Sequence, residues 1–274
     1  MTKQDAARAV LAWYADMGVD EAVGESPANF FAWTAPPPST PAGRISAAAP
    51  APAPKRTAAP VVPISPAPMI AADEAIKHAE QAARAAASFE ALAAAVASFE
   101  GCPLKAGARM TVFSDGVPGS DLLVIGEAPG REEDMQGKPF VGRAGQLLDR
   151  MLAAIDRSRK TNTLISNVIY WRPPGNRTPT PVEMAICRPF VERLIELTEP
   201  KAVMLAGGAA MQAMLGVSGI MRARGIWREI ETASGFKVPA LPVFHPAFLL
   251  RSPAQKRHAW ADLLALEARL KATG

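Results

Sequence analysis

From residue 120 onward, short apolar runs alternate with amphipathic stretches, and no other feature limits the folding options of this chain so tightly. The runs are LLVIG (122–126), TLISNVI (163–169), KAVMLAG (201–207) and ALPVF (240–244). Helical spacing is read between and after them, at 144–156, 180–198, 208–215 and 253–271. Strands this short and apolar are buried on both faces. The alternation therefore predicts an α/β fold with a mostly parallel sheet covered by helices on each side. The sequence shows no internal repeat.

The first part of the chain reads differently. Residues 5–17 have the pattern of a short amphipathic helix, with Val10, Leu11, Tyr14 and Met17 on one face, and ANFFAWT (28–34) follows. Residues 36–68 then hold eleven prolines, many alanines and no acid. Such a segment cannot build a core and is expected to be an extended, disordered linker. The predicted organisation is a docking segment over 1–35, a linker over 36–69 and a folded domain over 70–274. The N-terminal helix has two readings, packing back on its own domain or docking on a partner protein. From Asp73 to Phe99 the spacing predicts one alanine-rich helix, started by Asp73 and striped by Phe89, Leu92, Val96 and Phe99.

Composition excludes several classes. Hydrophobic residues make up 49% of the 274, enough for a sizeable core. The net charge of +4 fits a polyanionic partner without requiring one. The most apolar run, AVMLAGGAAMQAML, is too short and glycine-rich to span a bilayer, and the N-terminus carries acids with no secretory h-region. Two cysteines, Cys102 and Cys187, are too few for a disulfide scaffold. A cytoplasmic protein is expected.

The chemistry-bearing residues follow the predicted strands. Glu127 comes directly after LLVIG, Asn167 and then YWRPPGNR at the end of the second run, Gly207 and Gly208 after the third, His245 and Pro246 after the fourth. In a parallel sheet these ends share one edge, and ligands bind in the crevice outside it. Glu127, Asn167 and His245 are thus expected to meet. An amide suits the edge of a nucleobase, a histidine can donate to an oxygen gaining negative charge, and a carboxylate can orient water or stabilise a developing cation. Phe140, in the glycine-rich stretch GEAPGREEDMQGKPFVGRAG (126–145), offers a flat face for a flat ligand. Arg131, Lys138, Arg143, Arg172, Arg177, Arg222, Arg224, Arg228 and Arg251 supply cations for phosphates. Each residue also has a plainer use. Glu127 can cap a helix or pair with an arginine, Asn167 can satisfy strand-end backbone groups, His245 can pack in a loop, and Phe140 can cover core. Arginines 222, 224 and 228 can form a solvated face, while His78 and His258 fall within helical patterns. Neither GxxxxGK[ST] nor GxGxxG occurs, which removes the common phosphate-loop motifs.

Together, GEAPGREEDMQGKPFVGRAG, NVIYWRPPGNRTP, KAVMLAGGAAMQAMLG, RARGIW and FHPAFLLRSPAQKRHAWADL resemble the family 4 uracil-DNA glycosylases over roughly residues 99–266. The layout of the first 98 residues resembles that of alphaproteobacterial members. The resemblance implies a three-layer α/β/α fold with a central four-stranded parallel sheet, and hydrolysis of the N-glycosidic bond of deoxyuridine in DNA by a monomer. It implies a catalytic set of Glu127, His245 and Glu133. Glu127 would position or activate water, Glu133 would support it, and His245 would stabilise the departing uracil anion. It implies substrate contacts from Gly126, Ala128, Phe140, Asn167 and Asn176, with Phe140 stacked on the flipped base and Asn167 reading its polar edge. DNA contacts would come from Arg172, Arg177, Arg224 and Arg251, and the HPAFLLR segment would press on the duplex.

Members of the family usually hold a [4Fe–4S] cluster on four cysteines. Here the corresponding positions are Phe99, Cys102, Trp171 and Cys187, and neither Phe nor Trp offers iron a donor. The cluster is expected to be lost, with the two rings filling its volume. Two other readings remain: a non-catalytic relative that recognises uracil-containing or abasic DNA or scaffolds repair proteins, and a nucleotide hydrolase, for which metal-binding carboxylates are missing at the other strand ends.

Overall fold

The structure, a computed structural model, describes residues 72–272. The expected helix at 5–17, the docking segment 1–35 and the linker 36–69 lie outside the described residues. Helices α1 (Ala72–Ala85) and α2 (Phe89–Ser98) take up the stretch predicted as one helix. The break is local chemistry. Ser88 adopts extended backbone (φ −141°, ψ 168°) and its side chain accepts from Ala91 N at 3.2 Å, so it starts a new helix instead of continuing the old one. Arg193 closes the other side by donating twice to the Ala86 carbonyl, at 3.0 and 2.9 Å.

Strands β1 (Ser114–Gly116) and β2 (Leu122–Gly126) precede a short α3 (Arg131–Gln136) and α4 (Arg143–Ala153). Next come β3 (Thr163–Asn167), α5 (Pro181–Thr198), β4 (Ala202–Ala206), α6 (Gly208–Leu215) and α7 (Ile220–Ala223). A hairpin of β5 (Arg228–Glu231) and β6 (Lys237–Val243), then α8 (Pro246–Arg251) and α9 (Lys256–Ala272), complete the domain. Helix α5 opens with a capping box, Thr180 and Glu183 each bonding the other's backbone N–H.

The sheet order is β1-β3-β2-β4-β6-β5. The four strands expected from sequence form its parallel centre, as β3-β2-β4-β6. Two short antiparallel edges, β1 and β5, widen it to six; their sequences, SDG and REIE, carry no apolar run that would have flagged them. Alternation along β2 sorts the two cores. Leu123 and Ile125 face α1, α2 and α5, with Leu92, Val96, Phe190 and Leu194. Leu122 and Val124 face α4 and α9, with Leu148, Leu152, Leu263 and Leu266. Each such side chain contributes about 1.5–3 kcal/mol by leaving water. The outcome is the expected three-layer arrangement.

Candidate active site

Register brings the strand ends together. Gly126 of β2 sits opposite Asn167 of β3, and Ala206 of β4 opposite Val243 of β6. Backbone pairing continues past β3, Val168 N to the Gly126 carbonyl at 2.9 Å and Ile169 N to the Glu127 carbonyl at 3.1 Å. Beyond this edge opens a cleft of about 470 Å³, within the usual range for ligand pockets. Glu127, Asn167 and His245 all line it, as do Phe140, Ala128, Glu133, Asn176, Arg177 and Arg251. Pro129, Gly130, Ala144, Pro173 and Ala247 complete the wall. Sequence reading did not single out these last five, because small apolar residues beside a site carry no signal of their own.

Three polar groups in the cleft share a property. Asn167 is 2% exposed, yet its amide makes no hydrogen bond among the described residues. The amide is not among the fully enclosed polar atoms that lack a partner, so its unspent hydrogen-bonding capacity opens on the cleft. The Glu127 carboxyl likewise has no hydrogen bond or ion pair among the described residues, and burial pushes its pKa above the ordinary range. His245 caps α8: its Nδ1 accepts from Ala247 N at 3.1 Å. That bond assigns the proton to Nε2, leaving an N–H donor free in the cleft. Burial is the main cause that lowers the His245 pKa to about 4, with Arg251 adding to it and Glu133 opposing it. At neutral pH the ring is therefore an uncharged donor.

Phe140 lies between these groups. Its ring stacks on His245 at 5.6 Å and 26°, and passes so close to Gly126 that a Cβ there would overlap both the ring and Asn167 Oδ1. Gly126 is thus a spacer behind the site, outside the lining itself. Phe140 has φ 54°, a left-handed backbone that costs a bulky residue on the order of 1–3 kcal/mol.

Glu133, expected to support the catalytic set, lines the cleft and has both carboxylate oxygens occupied by backbone: Oε2 accepts from Gly130 N, and Oε1 from Val141 N and Gly142 N, each at 3.0 Å. It holds the loop that carries Phe140. Among the arginines, Arg251 is exposed on the rim and makes no ion pair among the described residues. Arg177 donates twice to Glu183, at 2.9 and 2.6 Å, while staying on the cleft wall. Arg172 donates to Asn176 Oδ1 at 2.7 Å, which ties the Pro174–Asn176 turn to the chain that leaves β3. Arg224 is paired with the buried Asp262 and the His258 carbonyl, pinning the end of α7 to α9, and does not stand among the residues that line the cleft.

The positions that would hold an iron–sulfur cluster do not fit one. Phe99 and Trp171 stack at 6.4 Å and 27°, and Phe99 meets Phe190 edge-on at 5.0 Å. Trp171 is buried and donates its indole N–H to Thr111 Oγ1 at 3.0 Å. Cys102 and Cys187 are buried beside one another, and their mutual hydrogen bond lowers the Cys102 pKa and raises that of Cys187. A four-iron cube needs four thiolates or near equivalents; here two thiols face a packed set of rings. Among the described residues, no group of three or more His, Cys, Asp or Glu side chains stands where it would hold a metal ion. Nor is any described helix long and apolar enough to cross a membrane.

A family model described as the uracil DNA glycosylase superfamily matches residues 113–264. The chain is similar to the type-4 uracil-DNA glycosylase of Thermotoga maritima, 37% identical over 151 residues that make up 55% of this chain and 77% of that one. It is also similar to the type-4 uracil-DNA glycosylases of Archaeoglobus fulgidus, 37% identical over 52% of this chain and 73% of the relative, and of Pyrobaculum aerophilum, 33% identical over 59% and 84%.

Proposed function

Since the chain belongs to the uracil DNA glycosylase superfamily and, within it, to the type-4 enzymes, we propose that it excises uracil from DNA by hydrolysing the bond between the base and its deoxyribose. One observation carries this reading: the Asn167 amide and the Glu127 carboxyl, neither with a hydrogen bond or ion pair among the described residues, share one cleft with an uncharged imidazole donor, His245.

A base inside a duplex shields its sugar, so the nucleotide must be everted into the cleft. Uracil presents an N–H flanked by two carbonyls. One orientation of the Asn167 amide accepts from that N–H and donates to the neighbouring carbonyl. In that orientation cytosine, with a bare ring nitrogen and an amino group at the same places, mismatches both contacts. The Phe140 ring supplies a face for the base. As the bond from C1′ to the base lengthens, negative charge moves onto the uracil carbonyl next to that bond, and the His245 Nε2–H stabilises it. Such a preorganised donor is worth about 3–4 kcal/mol. Positive charge grows on the sugar. Glu127, in its ionised form, stabilises that cation and orients a water for attack at C1′. Water adds to the sugar, uracil leaves with the bonding pair and takes up a proton, and an abasic site remains. Arg251, Arg177 and Arg172 grip phosphates without reading sequence. Every group this scheme needs comes from one chain, in keeping with a monomer.

We further propose that this member works without the cluster, its place taken by Phe99, Trp171 and Phe190. Anaerobically purified protein is expected to contain no stoichiometric iron; about four irons per chain would overturn this point. The activity itself is tested by incubating a uracil-bearing oligonucleotide with the protein, then with alkali. Strand scission at uracil is expected from the wild type, and it should be lost in His245→Ala and Glu127→Gln. DNA binding without scission would favour a non-catalytic role.

A further inference from the structure

Arg159 lies in the loop between α4 and β3, and the proposed chemistry does not use it. Its side chain is 13% exposed and four directional bonds hold it. Two of them anchor the guanidinium: Nε to Asp149 Oδ1 at 2.8 Å and Nη1 to Asp115 Oδ2 at 3.1 Å. The other two reach the Phe140 loop, Nη1 to the Pro139 carbonyl at 2.9 Å and Nη2 to the Phe140 carbonyl at 2.8 Å. On the far side of the same turn, Glu133 Oε1 takes the N–H groups of Val141 and Gly142. Gly145 closes the remaining direction, since a Cβ there would overlap the Phe140 carbonyl.

The geometry points to Arg159 as a positioning residue for base recognition: with Glu133 it clamps the peptides on either side of Phe140, holding that residue in its left-handed backbone so that the ring is set before the base arrives. Cation on carbonyls and anion on amides oppose the relaxation of φ 54° to an ordinary value. Only a planar fork with several donors spans two carboxylates and two carbonyls together, so lysine cannot replace it. The inference rests on the proposed glycosylase reading, because it assigns the held ring a role in binding uracil.

The test uses the full chain, with Arg159→Ala, Arg159→Lys, Phe140→Ala and the double variant Arg159→Ala/Phe140→Ala. Single-turnover uracil release is expected to slow about tenfold to a hundredfold in Arg159→Ala, as misplaced binding groups do. Arg159→Lys should fall between it and the wild type, and affinity for uracil-free duplex should not change. If Arg159 acts through Phe140, the double variant is no slower than Phe140→Ala. Effects that multiply in the double variant, or a lower melting temperature with an unaltered rate, would overturn the assignment. Hydrogen exchange over residues 138–145 reads the clamp without reference to activity, and should quicken in Arg159→Ala. Unchanged exchange there overturns the clamp even if uracil is released. A wild type that releases no uracil overturns the glycosylase reading instead, and leaves the clamp to the exchange result.

Discussion

Two regions are served by one segment, NVIYWRPPGNR, and they treat their contents in opposite ways. On the cleft side, the Asn167 amide, the Glu127 carboxyl and the His245 Nε2–H have no partner among the described residues. On the core side, Tyr170 and Trp171 join Phe99, Phe113 and Phe190 in a continuous set of ring contacts. A region built for a visitor keeps polar capacity unspent and bears the desolvation cost. The other region is filled with aromatic side chains that pack on each other. The packing is imperfect, since the buried Tyr170 hydroxyl has no hydrogen-bond partner among the described residues. The difference teaches that activity and stability should respond to different halves of this segment.

The largest separation is expected from Trp171→Ala, which should lower stability by about 3–5 kcal/mol in a denaturant melt. The folded fraction should keep its rate of uracil release; a rate that collapses with the fold intact would tie the plug to chemistry and break the comparison. Asn167→Ala should do the reverse. It removes a group that makes no hydrogen bond among the described residues, so stability should hold, while uracil release slows by about 1–3 kcal/mol, or roughly fivefold to 150-fold.

The pH profile sharpens the cleft side. Glu127 must be ionised to act, and burial raises its pKa. Activity should therefore be lost on acidification at a higher pH than an ordinary carboxylate would set, while His245, lowered to about 4, adds no break near 6.5. A step near 6.5 in initial rates would mean that the imidazole is more open to water than its burial implies. The smallest effect belongs to the rim. Arg251→Ala should weaken binding evenly across sequences and reduce the slope of log affinity against log salt by about 1.

Much of this was legible because β-strand ends are legible. Four apolar runs and their spacing were enough to bring Glu127, Asn167 and His245 to one edge, and the parallel register does so. Phe140 could be read as a loop aromatic, but neither its left-handed backbone nor its stacking on His245 has a local signature. Arg159 sits in RSRKTNT, a polar stretch without periodicity, and only the fold brings it beneath Phe140. Arg224 looked like one more basic residue in RARGIW, since its partner Asp262 is far away in sequence. Glu133 read as part of an acidic run, and which of four acids in REED and its surroundings would turn inward to backbone was not written there. The helix break at Ser88 had a signal, a capping residue inside an alanine-rich run, which the helical spacing of the apolar residues masked.

The side-chain amide of Asn167 offers the most direct measurement. In protein labelled with ¹⁵N, its two amide protons should shift and gain protection from exchange when duplex bearing a non-hydrolysable deoxyuridine analogue is added, and should stay unmoved with the matching thymidine duplex. An amide that ignores both duplexes, in a protein that binds them, would contradict the claim that uracil completes what the cleft leaves open.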